Sequence, residues 1–243
     1  MIEYTGSMDL LADLVTANHI LANENVLDAF GHVSVRDPEN PERYYLSCSR
    51  SPALVERDDI MHFNLASEPL DGDRREAYLE RFIHGAIYAA RPNVGAVVHS
   101  HADEVLPYTV TGVPLRPISG PASKIGRTIP VWDIDEHFGP ETDLLVRNQQ
   151  HGADLAKRLG EHRVVLMRGH GCAIAAATLR EAVGIGVYLP RNAHALTTAL
   201  QIGAVKYLSD AEIATMEKRA GADRAWEYWS DRARRAGASR SSP

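Results

Sequence analysis

The sequence predicts a single α/β domain, and three features predict it. Short apolar runs bounded by turn-forming residues, Val94–Val98 and Val164–Met167, have the length and composition of buried strands. Longer segments carry apolar residues at every third or fourth position, as amphipathic helices do. The two patterns alternate through 243 residues with no internal repeat and no dividing linker. Residues 1–235 are therefore assigned to one domain and 236–243 to a disordered tail.

Ser7 can cap a first helix whose apolar positions are Leu10, Leu11, Leu14, Val15, Ile20 and Leu21, ending near Asn23–Asn25. A glycine turn at Gly31 leads into the alternating segment His32–Arg36. After the turn Asp37–Pro41, Tyr44–Cys48 returns, making a hairpin. Ile60–Asn64 is a further strand. Arg75–Arg91 reads as a helix with the buried stripe Leu79, Phe82, Ile83, Ala86, Ile87 and Ala90, stopped by Pro92. Asp103–Thr111 is a short helix interrupted by Pro107, followed by a proline- and glycine-rich stretch with strands at Leu115–Arg116 and Ile129–Trp132. Asp143–Leu159 is an amphipathic helix ended by Gly160. Thr178–Gly203 is a long helix that Pro190 should kink, and Ser209 caps a last helix to about Arg235.

Composition narrows the function. Hydrophobic residues make up 44% and charged residues 24%, as in ordinary globular proteins. The 26 basic and 32 acidic residues give a net charge of −6, and no basic block is interleaved with aromatics, which argues against a nucleic-acid partner. No apolar run reaches the roughly 18 residues of a membrane span, and no signal-peptide layout opens the chain, so a cytoplasmic location and no membrane partner are expected. Cys48 and Cys172 alone imply no disulfide framework.

Chemistry concentrates in Val97-Val98-His99-Ser100-His101. Alternate residues of a strand share a face, so His99 and His101 project together from the end of a rigid element, as half of a metal site would. A third candidate, His170, stands between two glycines after the run Val164–Met167. Among 11 histidines a lone pair is equally compatible with surface or hydrogen-bonded core positions; the third histidine favours a metal. Glu80 lies about 100° round the helix from Leu79 and from the helix alone reads as a solvated flank residue. The helix, however, leads straight into the strand of His99 and His101.

In this order Gly31-His32-Val33-Ser34-Val35-Arg36, Glu80-Arg81-Phe82-Ile83-His84, Arg91-Pro92, Val97–His101 and Gly169-His170-Gly171 resemble the class II aldolase/adducin family over roughly Leu10 to Ala233. The resemblance implies a three-layer α/β/α fold with a central, largely antiparallel sheet. It implies one divalent metal ion per subunit, zinc before manganese or iron, on His99, His101 and His170. It also implies Glu80 as acid/base carboxylate and a homotetramer or other homo-oligomer. Adducin-like relatives lose these ligands, so their presence favours an enzyme. Sugar-phosphate aldolases place small phosphate-binding residues where this chain has His32, Ser49-Arg50 and Tyr78-Leu79. The guanidinium of Arg50 suits a planar carboxylate instead. The family branch most resembled is the decarboxylases of hydroxylated aromatic dicarboxylic acids, with His32, Ser34, Ser49 and Arg50 as substrate-binding residues. The alternative is an aldolase or epimerase acting on a small, non-phosphorylated sugar-like carbonyl compound. In the decarboxylase reading, burial should raise the pKa of Glu80 so that it holds a proton.

Overall fold

The computed structural model describes residues 9–218 and 222–240. Its seven strands are β1 (His32–Arg36), β2 (Arg43–Ser47), β3 (Ile60–Asn64), β4 (Ala96–Ser100), β5 (Val131–Trp132), β6 (Val164–Met167) and β7 (Gly171–Ala176). They form one sheet in the order β3-β2-β1-β4-β7-β6-β5, antiparallel at every pairing except the parallel β5–β6 edge. The expected, largely antiparallel α/β architecture is therefore present.

Strand alternation divides the core in two. Val33, Ala96, Val98, Cys172 and Ile174 pack on one face against α1 (Leu10–Asn23). Later helices complete that layer, α6 (Leu179–Ile202) and α8 (Ala222–Arg240), while α7 (Asp210–Glu217) packs against the turn Gly120–Ile125. Tyr44, Leu46, Val97, Ala173 and Ala175 pack on the other face, against α2 (Phe82–Ala90) and α5 (Gln149–Leu159). Two short helices, α3 (Leu106–Val110) and α4 (Asp135–Phe138), lie in the connections. Among the described residues no helix is long and apolar enough to cross a membrane.

Several boundaries depart from the sequence reading. Asp9 caps α1 by accepting from the Ala12 N–H, and Ser7 lies outside the described residues. Residues 75–78 are not helical, because Ala77 bridges to Cys48 and Ser49 N–H donates to the Glu76 carbonyl. A tight turn, Leu79–Arg81, then leads into α2. Residues 143–148 are likewise irregular, with Asn148 capping α5. Pro107 lies in the first turn of α3 rather than interrupting it, which suits a residue lacking an N–H. No strand forms at Leu115–Arg116. The expected last helix is two, α7 and α8, with Ser209 in a reciprocal capping box with Glu212. Because α8 continues to Arg240, residues 236–240 are helical rather than a disordered tail, and 241–243 lie outside the described residues.

Candidate metal centre

Register places the site. His99, next to last in β4, pairs with His32 on β1 and with Ala173 on β7, on the sheet face covered by α2 and α5. His101 follows on the same side. His170 is carried by the β6–β7 turn, in which Gly169 takes the left-handed conformation (φ 64°). That turn is pressed against the end of β4: a Cβ on Gly171 would lie 2.1 Å from the Ser100 carbonyl oxygen. The turn before α2 puts Glu80 beneath these rings, 7% exposed rather than on a solvated flank.

The donor atoms converge. The Nε2 atoms of His99 and His101 are 2.8 Å apart, and those of His101 and His170 are 3.0 Å apart. Glu80 Oε2 lies 3.3 Å from Nε2 of both His99 and His170. One ligand atom from each of the four residues lies within 4.8 Å of all the others. The opposite ring nitrogens are engaged: His99 Nδ1 with the Cys172 carbonyl at 3.1 Å, His170 Nδ1 with the Leu144 carbonyl at 2.8 Å, and His101 Nδ1 with both Asp28 oxygens at 3.2 Å. Carbonyl and carboxylate oxygens only accept, so each Nδ1 carries a proton, and in the neutral ring each Nε2 is left to present its lone pair. Three lone pairs facing one another at such distances need a cation between them. The donor set fits a divalent metal ion.

Electrostatics agree. Burial pushes the Glu80 carboxyl up, but His99 and His170 more than offset it and hold the group well below the usual carboxylate range. The raised pKa expected for Glu80 is therefore not found: the resting side chain is a carboxylate, with Oε1 accepting the Val146 N–H at 2.9 Å. Burial and then the neighbouring imidazoles lower His101 to about 4, while burial acting on His170 is outweighed by the Glu80 carboxylate 3.3 Å away, which favours the protonated ring, and its pKa rises.

A cavity of about 470 Å3 opens over the cluster, lined by Glu80, His101 and His170 together with His32, Ser49 and the apolar Phe30, Leu79 and Leu145. Two expected substrate-binding residues are elsewhere. Arg50 is paired with Asp59 at 3.2 Å with its side chain 41% exposed, and it does not line the cavity. Ser34 is fully buried behind His32, bonded to His84 Nδ1 at 2.6 Å and to Tyr88 Oη at 2.8 Å. His84 was not singled out from the sequence. It enters the sequence reading as the last residue of the motif Glu80–His84, with no role of its own, and in the structure it is buried within Ile83-His84-Gly85. Leu144, whose carbonyl holds His170, takes a left-handed backbone (φ 67°) that costs a branched residue about 1–3 kcal/mol, strain of a kind that gathers at functional sites.

The chain is 36% identical to the decarboxylase tropJ of Talaromyces stipitatus over 208 residues, covering 81% of this chain and 78% of that protein. It is 28% identical to the 3,4-dihydroxyphthalate decarboxylase of Arthrobacter keyseri over 236 residues, covering 93% and 92%. An aldolase II superfamily protein from Pseudomonas syringae superposes with a TM-score of 0.77 at 19% identity, covering 94% of this chain and 93% of that one. Residues 12–197 match the model of the class II aldolase and adducin N-terminal domain, and the chain belongs to that family.

Proposed function

We propose that this protein is a metal-dependent decarboxylase of a hydroxylated aromatic dicarboxylic acid, such as 3,4-dihydroxyphthalate, in the breakdown of aromatic compounds. The observation that carries the reading is a buried Glu80 carboxyl at 3.3 Å from two of three converging imidazoles, on the floor of a cavity with apolar walls. The names of the relatives, decarboxylases at 36% and 28% identity, support it.

A divalent ion on His99, His101 and His170, zinc before manganese or iron, would supply Lewis-acid stabilisation of negative charge developing on a substrate oxygen, worth several kcal/mol. The chain's own residues do the rest. Phe30, Leu79 and Leu145 flank the aromatic ring, while His32 and Ser49 orient the acid. Glu80, ionised at rest, accepts the proton of a ring hydroxyl and returns it to the ring carbon bearing the departing carboxylate. The new C–H bond draws its electron pair from the ring. The pair of the breaking C–C bond then restores the ring as CO2 leaves. Tyr78, beside Glu80, has its hydroxyl engaged with Ser47 and the Arg50 carbonyl, so no free hydroxyl there serves a phosphate. Phe30 (72% exposed) and Leu79 (45% exposed) leave an apolar rim at the cavity mouth. A homotetramer or other homo-oligomer, working in the cytoplasm, is part of the proposal.

The test is product analysis with ortho-hydroxy aromatic dicarboxylates and, separately, small hydroxycarbonyl sugars. CO2 and the corresponding monocarboxylate are expected from the former. Cleavage or isomerisation of the sugars without CO2 would identify an aldolase or epimerase instead.

A further inference from the structure

Behind the metal cluster lies a chain of buried polar groups that neither the metal nor Glu80 uses. His32 and Ser34, two apart on β1, share one strand face; His84 and Tyr88, four apart on α2, share one helix face. The two faces meet. Tyr88 Oη lies 2.8 Å from Ser34 Oγ, Ser34 Oγ 2.6 Å from His84 Nδ1, and His84 Nε2 2.7 Å from His32 Nδ1. All four residues are at most 1% exposed, so water does not compete for these bonds.

A chain of this kind has two possible directions, and its far end selects one. The phenol of Tyr88 has one proton, and Ser34 Oγ is the acceptor in reach. Tyr88 therefore donates to Ser34. Ser34, with a single proton, donates to His84 Nδ1. That nitrogen is then unprotonated, and the remaining proton of His84 sits on Nε2 and is donated to His32 Nδ1. His32 must carry its own proton on Nε2, at the ring edge away from His84, and His32 lines the cavity.

We infer that Tyr88, Ser34 and His84 form a one-way hydrogen-bond relay that locks His32 as a neutral Nε2–H donor into the cavity, so that a ligand must place an acceptor oxygen, carboxylate or phenolate, beside it. Tyr88, Ser34 and His84 are positioning residues; His32 is the one that touches the ligand. The inference takes its ligand class from the decarboxylase reading, but the direction of the relay does not depend on that reading. It also gives the cavity a selectivity: an analogue carrying an ammonium where the oxygen should sit meets a donor with a donor and is rejected.

The decisive experiment reads the ring nitrogens themselves. The zinc-loaded, full-length chain labelled with [15N]histidine is assigned through His32→Gln and His84→Gln, which remove one set of signals each. Nitrogen NMR should show both rings neutral, with the proton on Nε2 and none on Nδ1. A proton on Nδ1 of His32, or a charged ring in either residue, would overturn the relay. Tyr88→Phe keeps the aromatic packing but removes the donor that sets the direction. A fraction of its His32 rings should then carry the proton on Nδ1, and the Kd for 3,4-dihydroxybenzoate by calorimetry should rise about tenfold. Unchanged tautomers and unchanged Kd in that variant would contradict the relay. Wild-type tautomers as stated, with no CO2 released from any aromatic acid, would support the relay and strike the decarboxylase reading alone.

Discussion

Asp28 holds no position in the metal cluster, yet its carboxylate fixes the His101 ring at 3.2 Å while Oδ1 also accepts the N–H groups of Phe30 and Gly31. Asp28→Asn keeps an oxygen for the turn but removes the charge, so metal affinity should fall roughly 10- to 100-fold in competition with a chromophoric chelator, with little change in melting temperature. Glu80→Gln tests a different role: the histidine ligands remain, so metal content should persist while kcat falls about 10²- to 10⁴-fold. At this scale much of the site was legible in the sequence. Strand alternation brings His99 and His101 together, and the glycines around His170 mark a close approach to β4 that the structure contains. The surroundings of Arg50 and Ser34 are not legible because their partners are set by folding: Asp59 takes the guanidinium, and the helix residues His84 and Tyr88 take the hydroxyl. The ionised state of Glu80 is hidden for a similar reason, since the imidazoles that outweigh burial come from other elements.

Among elements, the junction of β4 with the β6–β7 turn carries the greatest constraint. Gly171→Ala would force its new methyl against the Ser100 carbonyl, a contact of 2.1 Å with backbone that cannot swing aside. A loss of about 1–3 kcal/mol in stability is expected, with weaker metal binding because His101 and His170 sit on the two displaced segments; denaturant unfolding and metal titration check both. The strand β7 was not recognised from the sequence, since Gly171–Ala176 is poor in β-branched residues and owes its conformation to pairing with β4 and β6. The helix expected from Arg75 had the correct apolar period only from Phe82 onward. What keeps 75–78 out of the helix is pairing with residues near Cys48, far away in sequence, and that pairing is what turns Glu80 inward. The irregular segment 143–148 has the same origin: its Leu144 carbonyl and Val146 N–H bind His170 and Glu80, and no local period announces either bond.

For the whole molecule, the buried imidazoles make acid destabilising. Burial is the main cause that lowers His84 to about 3 and His101 to about 4, from an ordinary value of 6.5. Between those limits the unfolded chain takes up protons that the folded chain refuses, so stability is complete above about pH 6.5 and declines as the pH falls towards 4 and then 3. Thermal melts of chelator-treated protein should show a falling melting temperature across that window, and a flat profile would contradict the assignment of neutral buried rings. The central claim is that this centre removes CO2 from an aromatic acid with Glu80 as its proton carrier. The most direct measurement is CO2 release from 3,4-dihydroxyphthalate by zinc-loaded protein, chelator-treated protein and zinc-loaded Glu80→Gln, side by side. Release by the first alone is the predicted result. No release by the first with zinc demonstrably bound, or undiminished release by Glu80→Gln, would contradict it.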